Sequence, residues 1–169
     1  MNVGVRSRRR LARLASLPVV ACVACVACGA ANENEVRASA VYAEVVRWLV
    51  DDAGGATAEE PMPVFIEPRG EGAAISLDVQ ADLIEVTKDV AKVRFLDERS
   101  EGLVEEDGVV MVKNDGILIR LGPVVEDDSH VLLDVDLWET VDTFDEVRFD
   151  LRRAGRTWSV QGPPEQIEG

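Results

Sequence analysis

The sequence predicts an α+β fold, in which two helices pack on an antiparallel β-meander sheet of five or six strands. Two observations carry this prediction. Apolar and polar residues alternate through most of residues 117–160, so each strand there has one dry face and one wet face. Upstream, apolar residues recur at helical spacing in two stretches, and these amphipathic helices would cover the dry face of the sheet.

The alternation defines three clear strands and a fourth near residue 160. Because alternate side chains share a face, it also names the residues expected in the core. These are Ile117, Ile119, Leu121, Val131, Leu133, Val135, Leu137, Val147, Phe149, Leu151, Trp158 and Val160. Ala154-Gly155 is a two-residue turn with a glycine for positive φ, so the last two strands form a hairpin. Another hairpin is expected between residues 109–112 and 117–121.

The first helix is predicted over residues 36–52, where Val41, Val45, Trp48 and Leu49 form one apolar stripe. Gly54-Gly55 ends it.

A second helix is predicted to begin at Asp78, which can cap it, with Val79, Leu83, Val86 and Val90 on one face. A strand over residues 74–79 is the alternative for its first part. Between the helices, residues 64–67 form a short apolar strand flanked by Pro63 and Pro68, which is typical of a sheet edge.

The N-terminal residues 1–27 have the pattern of an export signal. Residues 1–13 are basic and contain no acid, and residues 14–27 are almost entirely apolar but short for a membrane span. Ser7 to Arg13 resembles the twin-arginine export signature, and a plain basic region for the general secretion route fits equally well. Export is therefore expected, by a route that the sequence leaves open.

Cys22, Cys25 and Cys28 end this apolar stretch. Each follows small or aliphatic residues, and the segment resembles the lipobox of bacterial lipoproteins, in which the final cysteine is lipidated. Cys28 gives the longest apolar region and is followed by three small residues and then the polar residues 32–35, so it is the first choice for lipidation, with Cys22 second.

The lipobox resemblance implies a protein that is lipid-anchored to the cell membrane and faces outside the cytoplasm. The expected organisation is a signal at 1–27, a polar tether at 28–35, one domain at 36–161 and a disordered tail at 162–169. A cleaved signal ending after Ala30 or Ala31 would instead give a soluble secreted protein. An uncleaved span that reaches Ala31 would give a membrane-anchored one.

The mature chain is strongly acidic. The 142 residues after residue 27 hold 13 bases and 32 acids, a net charge of −19. Such a surface repels phosphate backbones, so nucleic acid is excluded as a partner. No cysteine follows Cys28, which excludes a disulfide framework and a paired-cysteine redox site. The acidity is compatible with adaptation to salt, cation binding or a compositional bias.

The residues that could carry chemistry have simpler structural interpretations. His130 is the only histidine. Its neighbour Ser129 would point to the opposite face of a strand, so the two side chains are poorly placed to form a catalytic Ser–His pair. Trp48 and Trp158 fall on dry faces and are expected in the core. Trp138 falls on a wet face, so it either packs under another element or marks a contact surface.

An acidic group near residue 130 offers oxygen ligands for calcium, although its spacing does not match the twelve-residue calcium loop. The alternative is that these carboxylates are solvated, and no metal site is assigned. The group comprises Glu126, Asp127, Asp128, Asp134 and Asp136.

The order of two helices followed by a C-terminal antiparallel meander resembles the cystatin-like and nuclear-transport-factor-like cone folds. Some members of those folds are isomerases with a Tyr and an Asp in the cone. The only tyrosine here is Tyr42, for which the sequence assigns no partner acid. The resemblance keeps a small exported hydrolase or isomerase as an alternative function.

The sequence thus favours a non-catalytic binding or interaction module of the cell envelope. We expect no catalytic residues and no cofactor. The expected partners are the membrane, through the lipid anchor, and an unidentified envelope protein or cations. A calcium-binding surface module is a further alternative.

Overall fold

The computed structural model describes residues 33–55, 60–127, 129–138 and 144–167. The predicted signal, Cys22 and Cys28 lie outside these ranges. Within them the chain forms two helices, a large mixed sheet and a separate two-stranded hairpin, which confirms the α+β class. The helices are α1 (Glu33–Asp52) and α2 (Leu77–Thr87). The strands are β1 (Met62–Pro68), β2 (Ala91–Phe95), β3 (Leu103–Glu106), β4 (Val109–Val112), β5 (Ile117–Leu121), β6 (Val125–Asp127), β7 (His130–Trp138), β8 (Phe144–Ala154), β9 (Thr157–Val160) and β10 (Glu165–Gln166).

The large sheet has eight strands in the order β10-β8-β7-β5-β1-β2, with β6 paired to β7 and β9 paired to β8. It is mixed, and the expected antiparallel meander of five or six strands covers only part of it. Strand β1 runs parallel to both β2 and β5, whereas β5, β7, β8 and β9 are antiparallel neighbours. The parallel pairing of β1 with β2 is possible because the two are joined through a crossover helix, α2, instead of a tight turn.

Strand β1 lies inside the sheet, between β2 and β5, so its assignment to an edge was wrong. Its two prolines misled the prediction. Pro63 is the second residue of the strand and Pro68 is its last, so the missing N–H groups fall near the strand ends. The residues between them, Val64 to Glu67, lie in a strand that pairs with neighbours on both sides.

The hairpin expected between residues 109–112 and 117–121 does not form. Strand β4 pairs with β3 around Asp107-Gly108, two residues with φ of +54° and +79° that suit a tight hairpin turn. A 3-10 turn at Lys113–Asp115 then redirects the chain into β5, which pairs with β1 and β7.

The helices cover one face of the large sheet and enclose the main hydrophobic core there. Val135, Phe149 and Leu151 are each 0% exposed, which confirms the predicted register of the antiparallel strands. Trp48 packs edge-on against Phe149 with ring centroids 5.4 Å apart, and Trp158 is buried in the same core. Valine, leucine and isoleucine dominate this core.

A smaller apolar cluster lies on the opposite face of the sheet, where it packs with the segment that leads into the β3–β4 hairpin. Its buried members are Phe65, Leu96, Val112, Leu118 and Trp138, with Leu103 of β3 packed against them. Trp138 therefore packs under another element, which confirms the first of the two alternatives given for it and not the contact surface. Its ring stacks on Phe144 at 4.6 Å between centroids, and the Arg99 guanidinium lies 3.7 Å from its centre.

Several predicted boundaries differ from the structure. Ser76, and not Asp78, caps α2, because its hydroxyl accepts a hydrogen bond from the Val79 amide. The buried stripe of α2 is Val79, Leu83 and Thr87, whereas Val86 is 47% exposed. The stripe therefore follows steps of four residues, which leaves Val86 outside it.

The two ends of the domain are more ordered than predicted. Helix α1 begins at Glu33, so the last residues of the predicted tether, 33–35, are helical. Part of the predicted disordered tail is paired. Glu165 and Gln166 form β10 against β8, and the Ile167 amide donates a hydrogen bond to the Glu146 carbonyl.

Candidate functional site

A cleft of about 840 Å³ opens beyond the carboxyl ends of β1 and β2. The chain leaves these two parallel strands toward opposite faces of the sheet. After β1 it enters α2 on the face of the main core, and after β2 it enters the β3–β4 hairpin on the other face. Diverging connections at the carboxyl ends of parallel strands open a crevice between them, and such crevices bind ligands in open α/β sheets.

The β1–α2 loop forms one wall of the cleft. Gly70 and Gly72 in this loop have φ of +114° and +70°, a conformation that glycine adopts without strain, and they allow the chain to turn sharply out of β1. Ser76 then starts α2 at the edge of the cleft. Leu77, the first residue of the helix, is 79% exposed.

The lining combines apolar walls with a few charged groups. The apolar lining is Ile66, Pro68, Ala73, Ala74, Ile75, Leu77, Phe95 and Leu96. The polar side chains are Glu67, Glu71, Gln80, Asp97 and Arg120. This mixture of apolar area and few polar groups is typical of small-ligand sites.

The charged groups of the cleft differ in how they are paired. The carboxylate of Glu67 is almost fully buried and lies 3.4 Å from Nε and Nη2 of Arg99. The guanidinium of Arg120 contacts Asp136. Glu71 and Asp97 are exposed and, among the described residues, have no ion-pair partner. The free charge of the cleft is therefore negative.

Behind the cleft, arginines and acids form a group on one face of the sheet. We call this group the arginine–aspartate network, and its members are Arg69, Arg120, Asp134, Asp136, Glu146 and Arg148. Asp136 is 1% exposed and lies 2.7 Å from Nε of Arg69 and 2.5 Å from Nη2 of Arg120. Neither contact has hydrogen-bond geometry, so the two act as ion pairs. Arg69 also contacts Glu146 at 2.9 Å, which ties the end of β1 to β8 across the sheet.

Asp134 belongs to the same network and binds Arg148 through both carboxylate oxygens, at 2.6 and 3.1 Å. This bidentate hydrogen bonding, opposed by partial burial, holds the pKa of Asp134 below its usual value. The interpretation of these acids as solvated was wrong for Asp136, which is buried and paired. The structure does not describe the side chains of Glu126 and Asp127, and Asp128 lies outside the described residues.

The other predicted candidates lie away from the cleft. Nε2 of His130 is 2.9 Å from a carboxylate oxygen of Asp150 on the neighbouring strand. Tyr42, a residue of α1, is buried in the main core, and its hydroxyl donates a 2.9 Å hydrogen bond to the Gly122 carbonyl. Burial raises the pKa of Tyr42. Both residues therefore have structural partners, and neither lines the cleft.

Sequence reasoning missed every residue of the cleft. The available signal was the order of a short buried strand, a loop with Gly70 and Gly72, and a capped helix. That order is the start of a parallel crossover, whose carboxyl end is the usual place for a ligand. The predicted edge position of β1 concealed this pattern. With β1 at an edge, the loop after it was interpreted only as a break between elements, and a parallel crossover was not considered.

Within the described ranges, no group of three or more His, Cys, Asp or Glu side chains is placed to hold a metal ion. In the same ranges, no helix is both long enough and apolar enough to cross a membrane. Comparisons of the chain with protein-family models, with curated proteins and with solved structures found no match.

Proposed function

We propose that this protein is an exported, lipid-anchored cell-envelope protein whose domain binds a small ligand without transforming it. The observation that carries the binding role is the cleft at the carboxyl ends of β1 and β2. Its volume of about 840 Å³ suits a small molecule or the end of a peptide. Its lining contains no histidine, cysteine, lysine or tyrosine, so imidazole, thiol and amine chemistry have no side chain there.

The lining indicates an apolar ligand that carries a positive charge. Ile75, Leu77 and Phe95 supply apolar walls. Glu71 and Asp97 supply carboxylates that no cation of the described chain neutralises, so a ligand ammonium group can pair with them. Arg120 is already held by Asp136, which leaves little positive charge to attract an anion.

A matched pair of probes tests this charge preference. We expect phenethylamine to shift the backbone amide NMR signals of residues 70–77 and 95–97, with a dissociation constant of about 1 mM, typical for nine heavy atoms. Phenylpropionate has the same ring with the opposite charge and should shift these signals at least about tenfold less at equal concentration.

Ala74→Arg places a long cation inside the cleft, so it should weaken phenethylamine binding at least about fivefold. The matched control is Ala81→Arg, which adds the same charge at an exposed position of α2 that does not line the cleft. If the two variants weaken binding equally, the amine responds only to the net charge of the domain. Equal shifts from the two probes would contradict the proposed ligand class.

The location rests on the N-terminal sequence. A basic segment, an apolar segment and a cysteine after small residues precede a polar stretch, and α1 begins at Glu33. Cleavage before Cys28 and lipidation of its thiol would leave a short connection between the anchor and α1. The acidic domain would then lie outside the cytoplasmic membrane.

Intact-mass measurement of the protein purified from the membrane fraction tests this location. We expect a chain that begins at Cys28 and carries a diacylglyceryl group. A chain that begins at Cys22 would move the cleavage site and keep the anchor. Retention of Met1, or a cleaved chain without lipid, would refute the lipoprotein assignment.

A further inference from the structure

Glu67 is the buried carboxylate of the cleft. It is the last residue but one of β1 and is 8% exposed. Leu96 lies beside it, because the Leu96 amide donates a 2.9 Å hydrogen bond to the Ile66 carbonyl, and all three residues line the cleft. The other acids of the lining, Glu71 and Asp97, are exposed. Glu67 is therefore the one lining carboxylate that is largely removed from bulk water.

The charge of Glu67 is only partly compensated. In the described part of the chain, the cation in contact with its carboxylate is Arg99, which lies between β2 and β3. Nε and Nη2 of Arg99 are both 3.4 Å from Oε2 of Glu67. Hydrogen bonds between charged groups are normally about 2.7–2.9 Å long, so both of these are weak. The same guanidinium lies 3.7 Å from the centre of the Trp138 ring, which shares it with the carboxylate.

The second oxygen of Glu67, Oε1, accepts no hydrogen bond from the residues that the structure describes. Arg120 is the cross-strand partner of Glu67 on β5, but its guanidinium pairs with Asp136 instead. A carboxylate that is buried and only half paired is costly for the fold. Because Glu67 lines the cleft, a ligand can supply the missing donor.

We propose that Glu67 binds the charged group of the ligand and that this group is a primary ammonium. The proposal rests on the proposed function and narrows its ligand class. A primary ammonium has three N–H donors on one small group, so it can donate to Oε1 at normal hydrogen-bond distance. A quaternary ammonium has the same charge but no N–H donor, and its methyl groups keep the charge away from the carboxylate.

Glu71 and Asp97 have a different role in this arrangement. Both are exposed, so water and salt screen their attraction for a cation, and this attraction does not require an N–H donor. They would raise the affinity of the cleft for any cation. Glu67 would distinguish a primary from a quaternary ammonium, while Ile66 and Leu96 beside it would contact the carbon atoms next to the nitrogen.

The test compares two amines with the full chain at pH 7 by backbone amide NMR. Phenethylamine and trimethyl(phenethyl)ammonium have the same ring, spacer and charge, and only the first has N–H donors. We expect phenethylamine to bind at least about fivefold more tightly, as one hydrogen bond to a charged group would give, with large shifts at Glu67 and Leu96. A smaller ratio would overturn the proposal.

Glu67→Gln tests whether Glu67 is responsible for this preference. Glutamine keeps the size of the side chain, and Arg99 is about one-third exposed and still contacts Trp138, so the variant should fold. We expect phenethylamine binding to weaken at least about tenfold and the two amines to bind within about twofold of each other. A preference that persists in this variant would show that another group binds the ammonium.

Two further variants provide the comparison. Glu71→Gln with Asp97→Asn should weaken both amines by the same factor and keep the preference for phenethylamine. Glu98→Gln is the matched control, since it removes one charge from an exposed residue near the cleft that does not line it. It should change neither affinity by more than about twofold.

Circular dichroism checks the fold of each variant. If Glu67→Gln does not fold, the double variant decides, because a preference that depends on the exposed acids would be lost there and would contradict the role of Glu67. Phenylpropionate separates this proposal from the proposed function. If phenethylamine binds more tightly than phenylpropionate but no more tightly than its trimethyl analogue, the cation site stands and the role of Glu67 fails. If neither amine binds more tightly than phenylpropionate, both proposals fail.

Discussion

Asp136→Asn is expected to lower the free energy of unfolding by about 3 kcal/mol, because it removes the charge that holds two arginines on one face of the sheet. Asp136 is 1% exposed and contacts both Arg69 and Arg120. Asparagine keeps the shape of the side chain, so the loss reports charge and not a cavity. Without the carboxylate, the Arg120 guanidinium would lose its ion-pair partner, and Arg69 would keep only its contacts with Asp134 and Glu146.

Urea unfolding of the full chain measures this change, with Asp150→Asn as the matched control. Asp150 pairs with His130, but both are about one-third exposed, so its replacement should cost less than about 1 kcal/mol. A loss at position 136 no larger than that at position 150 would mean that the arginine–aspartate network contributes no net stability. The parent protein and both variants should show the same urea dependence if unfolding remains two-state.

Phe149→Ala is expected to lower the free energy of unfolding by about 3–5 kcal/mol, as large-to-small replacements in a packed core do. Phe149 is 0% exposed and supports the ring of Trp48. Its removal would leave a cavity between the sheet and α1 that the surrounding side chains can fill only in part.

Phe144→Ala is the matched control, since it is the same substitution on the same strand. Phe144 is 36% exposed on the opposite face, where it stacks on Trp138, so we expect a loss of about 1 kcal/mol. The difference between the two variants tests which face of β8 is buried. Equal losses would show that the assigned register of this strand is wrong.

The cleft and the arginine–aspartate network share Arg120, which lines the cleft and pairs with Asp136. Loss of Asp136 would therefore free a guanidinium at the cleft, and it should reduce the preference for a cationic ligand. The network thus pairs the Arg120 guanidinium with a carboxylate and keeps its positive charge from acting on the cleft. The cleft and the network are connected in this way because β1, β5 and β7 are neighbours in the sheet.

The sequence alone determined the features that depend on neighbouring residues. Period-two alternation placed Val135, Phe149 and Leu151 in the core, and helical spacing identified α1 and most of α2. These patterns can be recognised in the sequence because the spacing of apolar residues follows the geometry of the strand or helix itself, whatever element it packs against. Net charge follows from composition and the N-terminal pattern from residue order, and both predict partners and location without reference to the fold.

Only the tertiary structure decided which strands pair and which polar groups meet. The parallel pairing of β1 with β2 and β5 brings together segments far apart in the chain, and no local pattern encodes it. For the same reason Asp136, which alternates like a solvated residue, is buried by arginines from two other strands or their ends. A buried charge is stable only where its partners are in place, and the packing of β1 beside β5 and β7 supplies them.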